Sequence, residues 1–385
     1  MTRDAATTAE HQPTPIAATQ ADMRNCVAKV ATGPEYSKNL SQEEARAGMA
    51  LMLDGQADLV QAAIYLIGLR MKRETADENR GVLQAILERR EQTSVEVDEL
   101  IDVADPYNGQ VRGLPSAPFL APVLAACGVP AFSHGVASLG PKFGITHHRV
   151  LHAAGIPVDL NPQQAASAIA DPNIGWAYLD QHAFCPLLYD LVDLRNRMIK
   201  RSVIHTIEVM TKPLRARKQT HLLTGYVHKA YPPVYADLAR FAGFESAAIV
   251  RGVEGGVIPS LQQPSRFYQF YSQREEDQFI SVEPTQLGIE ASWRAVSLPD
   301  GAKSIEGGSE SVFEKAVASI VKQGEAALGG KSGAVFDSLM YAAAIALLHL
   351  NRFDTLTDAA EHVQKILKSG AAFDRFVAMR DPSKN

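Results

Sequence analysis

The chain has 385 residues, 46% of them apolar and 21% charged, with a formal charge of −5. These proportions exclude a disordered chain, and the length suffices for two packed units with separate apolar cores. A negative total gives no general attraction to nucleic acid, so binding of that kind requires a local basic stripe.

Residues 1–22 open on an Ala-, Thr-, Gln- and Pro-rich stretch without the basic end and apolar core of a secretory leader. They are predicted to be a disordered tail, with the cytoplasm as the expected location. Ser41-Gln42-Glu43-Glu44 then has the form of a capping box, which starts a helix with Ala45, Met49, Met52 and Leu53 on one face. Asp54-Gly55 ends it. A second helix over 59–70 carries Ala63, Ile64 and Ile67, and a third opens at Thr75, where Glu78 completes another capping box. From Leu100 the pattern changes to short apolar runs at 100–104, 129–133, 174–179, 221–227 and 247–251, alternating with helical segments. That alternation predicts a mainly parallel sheet covered by helices. Asn161-Pro162 caps a helix over 163–170, and residues from about 310 to 379 are helical again. The apolar run 339–350 is about half a bilayer span and reads as a buried helix, so no membrane span is predicted. Cys26, Cys127 and Cys185 fit neither zinc spacing nor a disulfide framework and read as reduced thiols.

Ligands of open α/β sheets bind beyond the carboxyl ends of the strands. The glycine-rich segment from Ser133 to Gly144 is predicted to stand there, with His134 and Gly135 beside a ligand and Lys142 as a cation for phosphate. A structural turn and a satisfied core histidine are the alternatives. Tyr107-Asn108-Gly109 forms a tight turn by its own chemistry and can also face a cleft. Arg195 and Arg201 offer planar guanidinium groups for carboxylate or phosphate. Arg197 and Lys200 read as surface charges. Lys212, Arg215, Arg217 and Lys218 place four cations in seven residues, a candidate nucleic-acid contact or a solvated run, with Tyr226, Tyr231 and Tyr235 near enough to stack on bases. Glu254 follows the strand at 247–251 and can hold a metal ion, meet a ribose hydroxyl, or stand exposed. No serine occupies a Gly-x-Ser-x-Gly nucleophile motif.

Several of these segments carry a family resemblance. Asn39-Leu40-Ser41-Gln42-Glu43-Glu44-Ala45, Met52-Leu53-Asp54-Gly55 and Ala62 to Lys72 resemble the helical opening of anthranilate phosphoribosyltransferases, of the glycosyltransferase family 3 type. Ser133-His134-Gly135 resembles the family's Lys-His-Gly triplet, and Arg195 with Lys200-Arg201-Ser202 its arginine-bearing helix and Arg-Thr pair. The resemblance implies an α/β protein: a small all-helical domain over 23–95, joined by a helical contribution from about 186–201, and a large domain over 96–385 with a mainly parallel sheet, as in nucleoside phosphorylases. It further implies a cleft between them for phosphoribosyl pyrophosphate or a nucleotide, magnesium as cofactor, and a homodimer through the helical domain. The implied chemistry is pentosyl transfer, with Arg201 at the family's anthranilate-binding position.

The phosphate loop departs from the family. In place of Gly-Thr-Gly-Gly-Asp stands Ala104-Asp105-Pro106-Tyr107-Asn108-Gly109-Gln110, which loses paired glycines and one backbone donor. The Asp-Glu metal pair has become Val253-Glu254-Gly255, which leaves one carboxylate for magnesium. Tyr107-Asn108-Gly109, Phe184-Cys185-Pro186 and Val253-Glu254-Gly255 are similar to YbiB-type proteins, a divergent branch associated with single-stranded nucleic acid. Two functions follow: a phosphate-binding pentosyltransferase-type protein that does not make tryptophan precursors, and a non-catalytic nucleic-acid binder.

Overall fold

A computed structural model describes residues 20–274 and 276–382. Of the tail expected over 1–22, residues 1–19 lie outside the described residues, and residues 20–22 are the first turn of a helix. Four helices form the amino-terminal bundle: α1 (Gln20–Val30), α2 (Gln42–Leu53), α3 (Leu59–Lys72) and α4 (Ala76–Leu87). Both capping boxes are present, Ser41 with Glu44 and Thr75 with Glu78. Glu78 is fully buried, accepts from the amides of Leu40 and Thr75, and pairs with Lys72 at 2.7 Å. Helix α4 crosses α2 at Gly81, where an added Cβ would lie 2.2 Å from the carbonyl oxygen of Gln42. Only glycine permits that approach.

The strands are β1 (Thr93–Ser94), β2 (Glu99–Ala104), β3 (Ala131–Gly135), β4 (Trp176–Asp180), β5 (Leu214–Arg215), β6 (Gln219–Gly225), β7 (Ser246–Val250), β8 (Ser265–Tyr271) and β9 (Gln278–Val282). Seven of them make one sheet in the order β4-β3-β2-β6-β7-β8-β9, and β1 pairs with β5. From β4 to β7 all pairings are parallel, with β8 and β9 added antiparallel. The remaining helices are α5 (Leu120–Ala126), α6 (His147–Ala153), α7 (Pro162–Ala170), α8 (Gln181–Phe184), α9 (Pro186–Tyr189), α10 (Val192–Met198), α11 (Ile204–Ile207), α12 (Tyr231–Phe241), α13 (Glu310–Leu328), α14 (Ala334–His349), α15 (Leu356–Ser369) and α16 (Ala371–Ala378).

The run expected as a strand at 129–133 is displaced. The amide of Val129 closes the turn after α5 by donating to Leu124, so pairing begins at Ala131 and takes in His134 and Gly135. Those two residues are strand, not loop. Helix α14, buried along nearly its whole length, packs on β7, α5, α13 and α15. Among the described residues no helix is long and apolar enough to cross a membrane. All three cysteines are free, and burial pushes the thiols of Cys26 and Cys127 up to about 12.

Helix α12 joins the two parts. It touches α4 and β7, and its Tyr231 and Asp237 bond to Arg70 of α3 and Arg80 of α4. Helices α10 and α11 also lie against α3 and α4. The carboxyl ends of β2 and β6 thus face the bundle across a cleft.

Candidate functional site

The cleft encloses a narrow cavity of about 80 Å3. One wall comes from the turn after β2 (Pro106, Tyr107, Asn108) and the end of β6 (Gly225, Tyr226, Val227). The other comes from Arg70, Tyr231 and Tyr235 with Arg201 and Ser202 of the α10–α11 connection and His205 of α11. Three buried polar atoms on these walls have no hydrogen-bond partner: Asn108 Oδ1, Ser202 Oγ and Tyr226 OH. Leaving such a group unpaired costs about 1–3 kcal/mol, a cost that a polar partner entering the cavity would offset. Arg201 lines the same cavity and is exposed. Unlike Arg195 and Arg197 on α10, it has no ion pair among the described residues.

Glu254 also lines the cavity, on a turn where its backbone takes the left-handed values φ 52°, ψ 17°. Its carboxylate accepts from the amides of Val111 at 3.1 Å and Arg112 at 2.7 Å, and pairs with Lys142 at 2.5 Å. The Lys142 amine also donates to the carbonyl of Gly109 at 3.1 Å. Burial holds Lys142 below the usual lysine range, with Glu254 acting in the opposite direction. Lys142 and Glu254 therefore cancel one another and pin the turn after β2. Gly109, at φ 69°, lets that turn press on the backbone of Gly144 and Ile145, where a Cβ would meet atoms at 2.6 Å.

His134 and Arg195 do not reach the cavity. The His134 ring is buried, its Nε2 standing 3.0 Å from Asp102 Oδ1, an ion-pair distance with poor hydrogen-bond alignment. With the proton on Nε2 toward Asp102, Nδ1 accepts from the Tyr107 hydroxyl, an assignment that follows from the partners. Gly135 pairs with Asp180 inside the sheet. Arg195 is fully buried and grips Glu208 by two hydrogen bonds of 2.8 Å. Of the expected site residues, the fold brings Tyr107, Asn108, Arg201 and Glu254 to one cavity. Gly109 and Lys142 stand behind them, and His134, Gly135 and Arg195 lie in the core.

Comparison with known proteins matches this architecture in both parts. Residues 24–90 match the helical bundle domain of a glycosyl transferase family, and residues 117–373 match its a/b domain. The chain belongs to glycosyltransferase family 3. Among curated relatives, an uncharacterized protein of Aquifex aeolicus is 28% identical over 66% of this chain and 74% of its own length. The anthranilate phosphoribosyltransferase of Desulforudis audaxviator is 26% identical over 89% of this chain and 92% of its own. The Thermus thermophilus anthranilate phosphoribosyltransferase structure superimposes with a TM-score of 0.68 at 18% identity, covering 93% of this chain and 99% of that one. The Saccharomyces cerevisiae enzyme in complex with PRPP and Mg gives 0.73 at 15% identity, covering 95% and 99%.

Magnesium, found with PRPP in that yeast structure, does not suit the residues of this family member. Glu254 is already held by Lys142 and two amides, and the other carboxylate of the cavity, Glu208, is taken by Arg195. Magnesium at a phosphate site takes one or two carboxylates beside water and phosphate oxygens, and both carboxylates of this cavity already face a cation.

The basic run lies at the other end of the sheet, on β5 and the turn into β6. Lys212 is buried, donates to the Gly243 carbonyl and sits 3.6 Å from Glu245. Arg215 donates to Ser94, Arg217 pairs with Asp98 at 2.8 Å and Glu96 at 3.5 Å, and Lys218 pairs with Asp98 at 2.8 Å. Acidic residues of the β1–β2 turn thus offset Arg217 and Lys218, two of the four cations.

Sequence spacing did not reveal one further cluster at that end. Ser246 Oγ lies between His221 Nδ1 at 2.7 Å and His349 Nε2 at 2.8 Å, and His221 Nε2 is 3.3 Å from Glu99. Ser246 is a buried residue of β7, and the set ties β7 to α14. Burial keeps the His349 ring neutral, its pKa pushed from 6.5 down to about 3. The unfolded ring protonates first as pH falls, so stability from this site is complete above about pH 6.5 and is lost toward about pH 3. The loss is at most about 1.4 kcal/mol per pH unit. Urea midpoints followed from about pH 7 to about pH 4 should decline less steeply in His349→Gln than in the unsubstituted chain. Equal slopes would remove His349 as the cause.

Proposed function

We propose that this chain binds a phosphate-bearing pentose or nucleotide in the cleft, without magnesium, and does not transfer phosphoribose to anthranilate. The observation that supports it most is the convergence of an unpaired guanidinium, Arg201, with three buried polar groups lacking partners, Asn108, Ser202 and Tyr226. Arg201 can grip a phosphate by two parallel bonds. The hydroxyls of Ser202 and Tyr226 can donate to its oxygens, and the Asn108 amide can meet a sugar hydroxyl. At about 80 Å3 the cavity is too small for a whole nucleotide, so binding requires the Arg70–Tyr231 contact across its mouth to part.

Two features argue against anthranilate transfer. Tyr107 and Pro106 occupy the turn where the family resemblance implies bare glycine backbone, and the carboxylates of the cavity are both matched by cations. Neither carboxylate is left to stabilise the positive charge that develops on a pentose as its leaving group departs. PRPP at millimolar concentration should raise the melting temperature equally with magnesium and with EDTA, while anthranilate plus PRPP yields no phosphoribosylanthranilate. No thermal shift in either condition would discard the ligand assignment. Steady product formation would discard the inactive one. The nucleic-acid reading has less support at its basic run, because Lys212 is buried and Arg217 and Lys218 pair with Asp98, which leaves Arg215 as the exposed cation of the four without an ion pair among the described residues.

The homodimer implied by the family resemblance has a candidate face on the bundle. Leu59, Val60, Ile64 and Met71 of α3 are large apolar residues 52%, 67%, 40% and 78% exposed, beside a shallow apolar groove between α1 and α3. Burying them against a second copy removes that surface from water. Light scattering should give twice the 41.7 kDa chain mass, and Ile64→Asp with Met71→Asp should return a monomer. A monomeric unsubstituted chain contradicts this.

A further inference from the structure

A second concavity, a groove of about 930 Å3, lies beside the cleft, between the Glu254 turn and the segment that precedes α13. Tyr226, Val227 and Glu254 line both, so groove and cleft are continuous. Arg112, Arg251, Arg294 and Lys303 stand in the groove wall, all exposed. No ion pair of these four occurs among the described residues, and the one carboxylate of the wall, Glu254, is held by Lys142 and two amides. On a chain of formal charge −5, collecting four unpaired cations in one concavity reverses the local field.

The wall also carries an aromatic face. Trp293 is 48% exposed, next in sequence to Arg294. The segment that bears them is fixed by backbone, since Leu261 donates to the Arg294 carbonyl at 3.1 Å and Leu114 pairs with Val296. The backbone that bears Arg294 and Trp293 therefore has a defined position in the wall. A volume of about 930 Å3 lies near the upper end of the range for small-molecule pockets and suits one nucleotide-sized ligand.

We propose that this groove binds a nucleoside polyphosphate, with the phosphate chain along Arg112, Arg251, Arg294 and Lys303 and the base against Trp293. Guanidinium groups hold phosphates by paired, charge-assisted bonds, and stacking on an aromatic side chain accepts any base. The site goes beyond the cleft assignment and does not depend on it, because the cleft rests on Arg201 and the groove on these four cations.

The chain's own fluorescence reads the groove. Of its two tryptophans, Trp176 is fully buried and Trp293 is not, so a ligand stacked in the groove alters Trp293 emission alone. Titrating the full chain with ATP should quench that emission, and Trp293→Phe should remove the response while calorimetry still detects ATP. Arg251→Ala with Arg294→Ala should weaken ATP by about tenfold or more and leave untouched any thermal shift given by orthophosphate through Arg201. Emission unchanged at millimolar ATP, or equal affinity in the double variant, overturns the proposal. So does a short oligothymidylate that binds far more tightly than ATP, since that outcome assigns the groove to a nucleic-acid strand.

Discussion

Arg195→Met is expected to destabilise the fold by about 3–5 kcal/mol, measured as a fall in the urea midpoint. Both members of the Arg195–Glu208 pair are fully buried, and their two hydrogen bonds of 2.8 Å satisfy the carboxylate on each oxygen. Burial pushes the Glu208 carboxyl up and Arg195 opposes it. Removing the guanidinium leaves a carboxylate in the core that must either protonate or stay unpaired. The companion change Glu208→Leu, added to Arg195→Met, should recover most of the loss, because an apolar pair of similar volume has no charge to desolvate. An Arg195→Met chain as stable as the unsubstituted one would return Arg195 to the list of ligand-binding residues.

Arg201→Met should behave in the opposite way. Its side chain is exposed and has no ion pair among the described residues, so stability should change by no more than about 0.5 kcal/mol. Affinity for a phosphate ligand should fall by about 10–100-fold, equivalent to the roughly 1.5–3 kcal/mol of a hydrogen bond to a charged group. Of the two arginines, Arg195 thus serves the fold and Arg201 the ligand. Loss of stability without loss of affinity in Arg201→Met would reverse that assignment.

Nothing local in the sequence separates these two arginines. Each lies on or just after a short helix, and the difference is made by Glu208, which stands at the end of α11 and meets Arg195 and not Arg201. The same holds for Lys142, whose charge is cancelled by Glu254 from a different strand end. In the basic run at 212–218, Arg217 and Lys218 are likewise offset by Asp98, brought close by the pairing of β2 with β6. Local signals were legible where the physics is local. Both capping boxes set their helix starts, and the alternating apolar runs located the five parallel strands to within about two residues. The displacement at β3 was small in length and large in consequence, because it carried His134 out of a loop and into the sheet beside Asp102. Tyr107, expected to face the cleft, does so while its hydroxyl turns inward to His134.

Calorimetric titration of PRPP into the full chain in EDTA, repeated with magnesium and with Arg201→Met, decides whether the cleft holds phosphate through Arg201 and without a metal ion. Equal affinity with and without the metal, and loss of binding in the variant, are the expected results. Binding that appears only with magnesium, or that survives Arg201→Met undiminished, would contradict them.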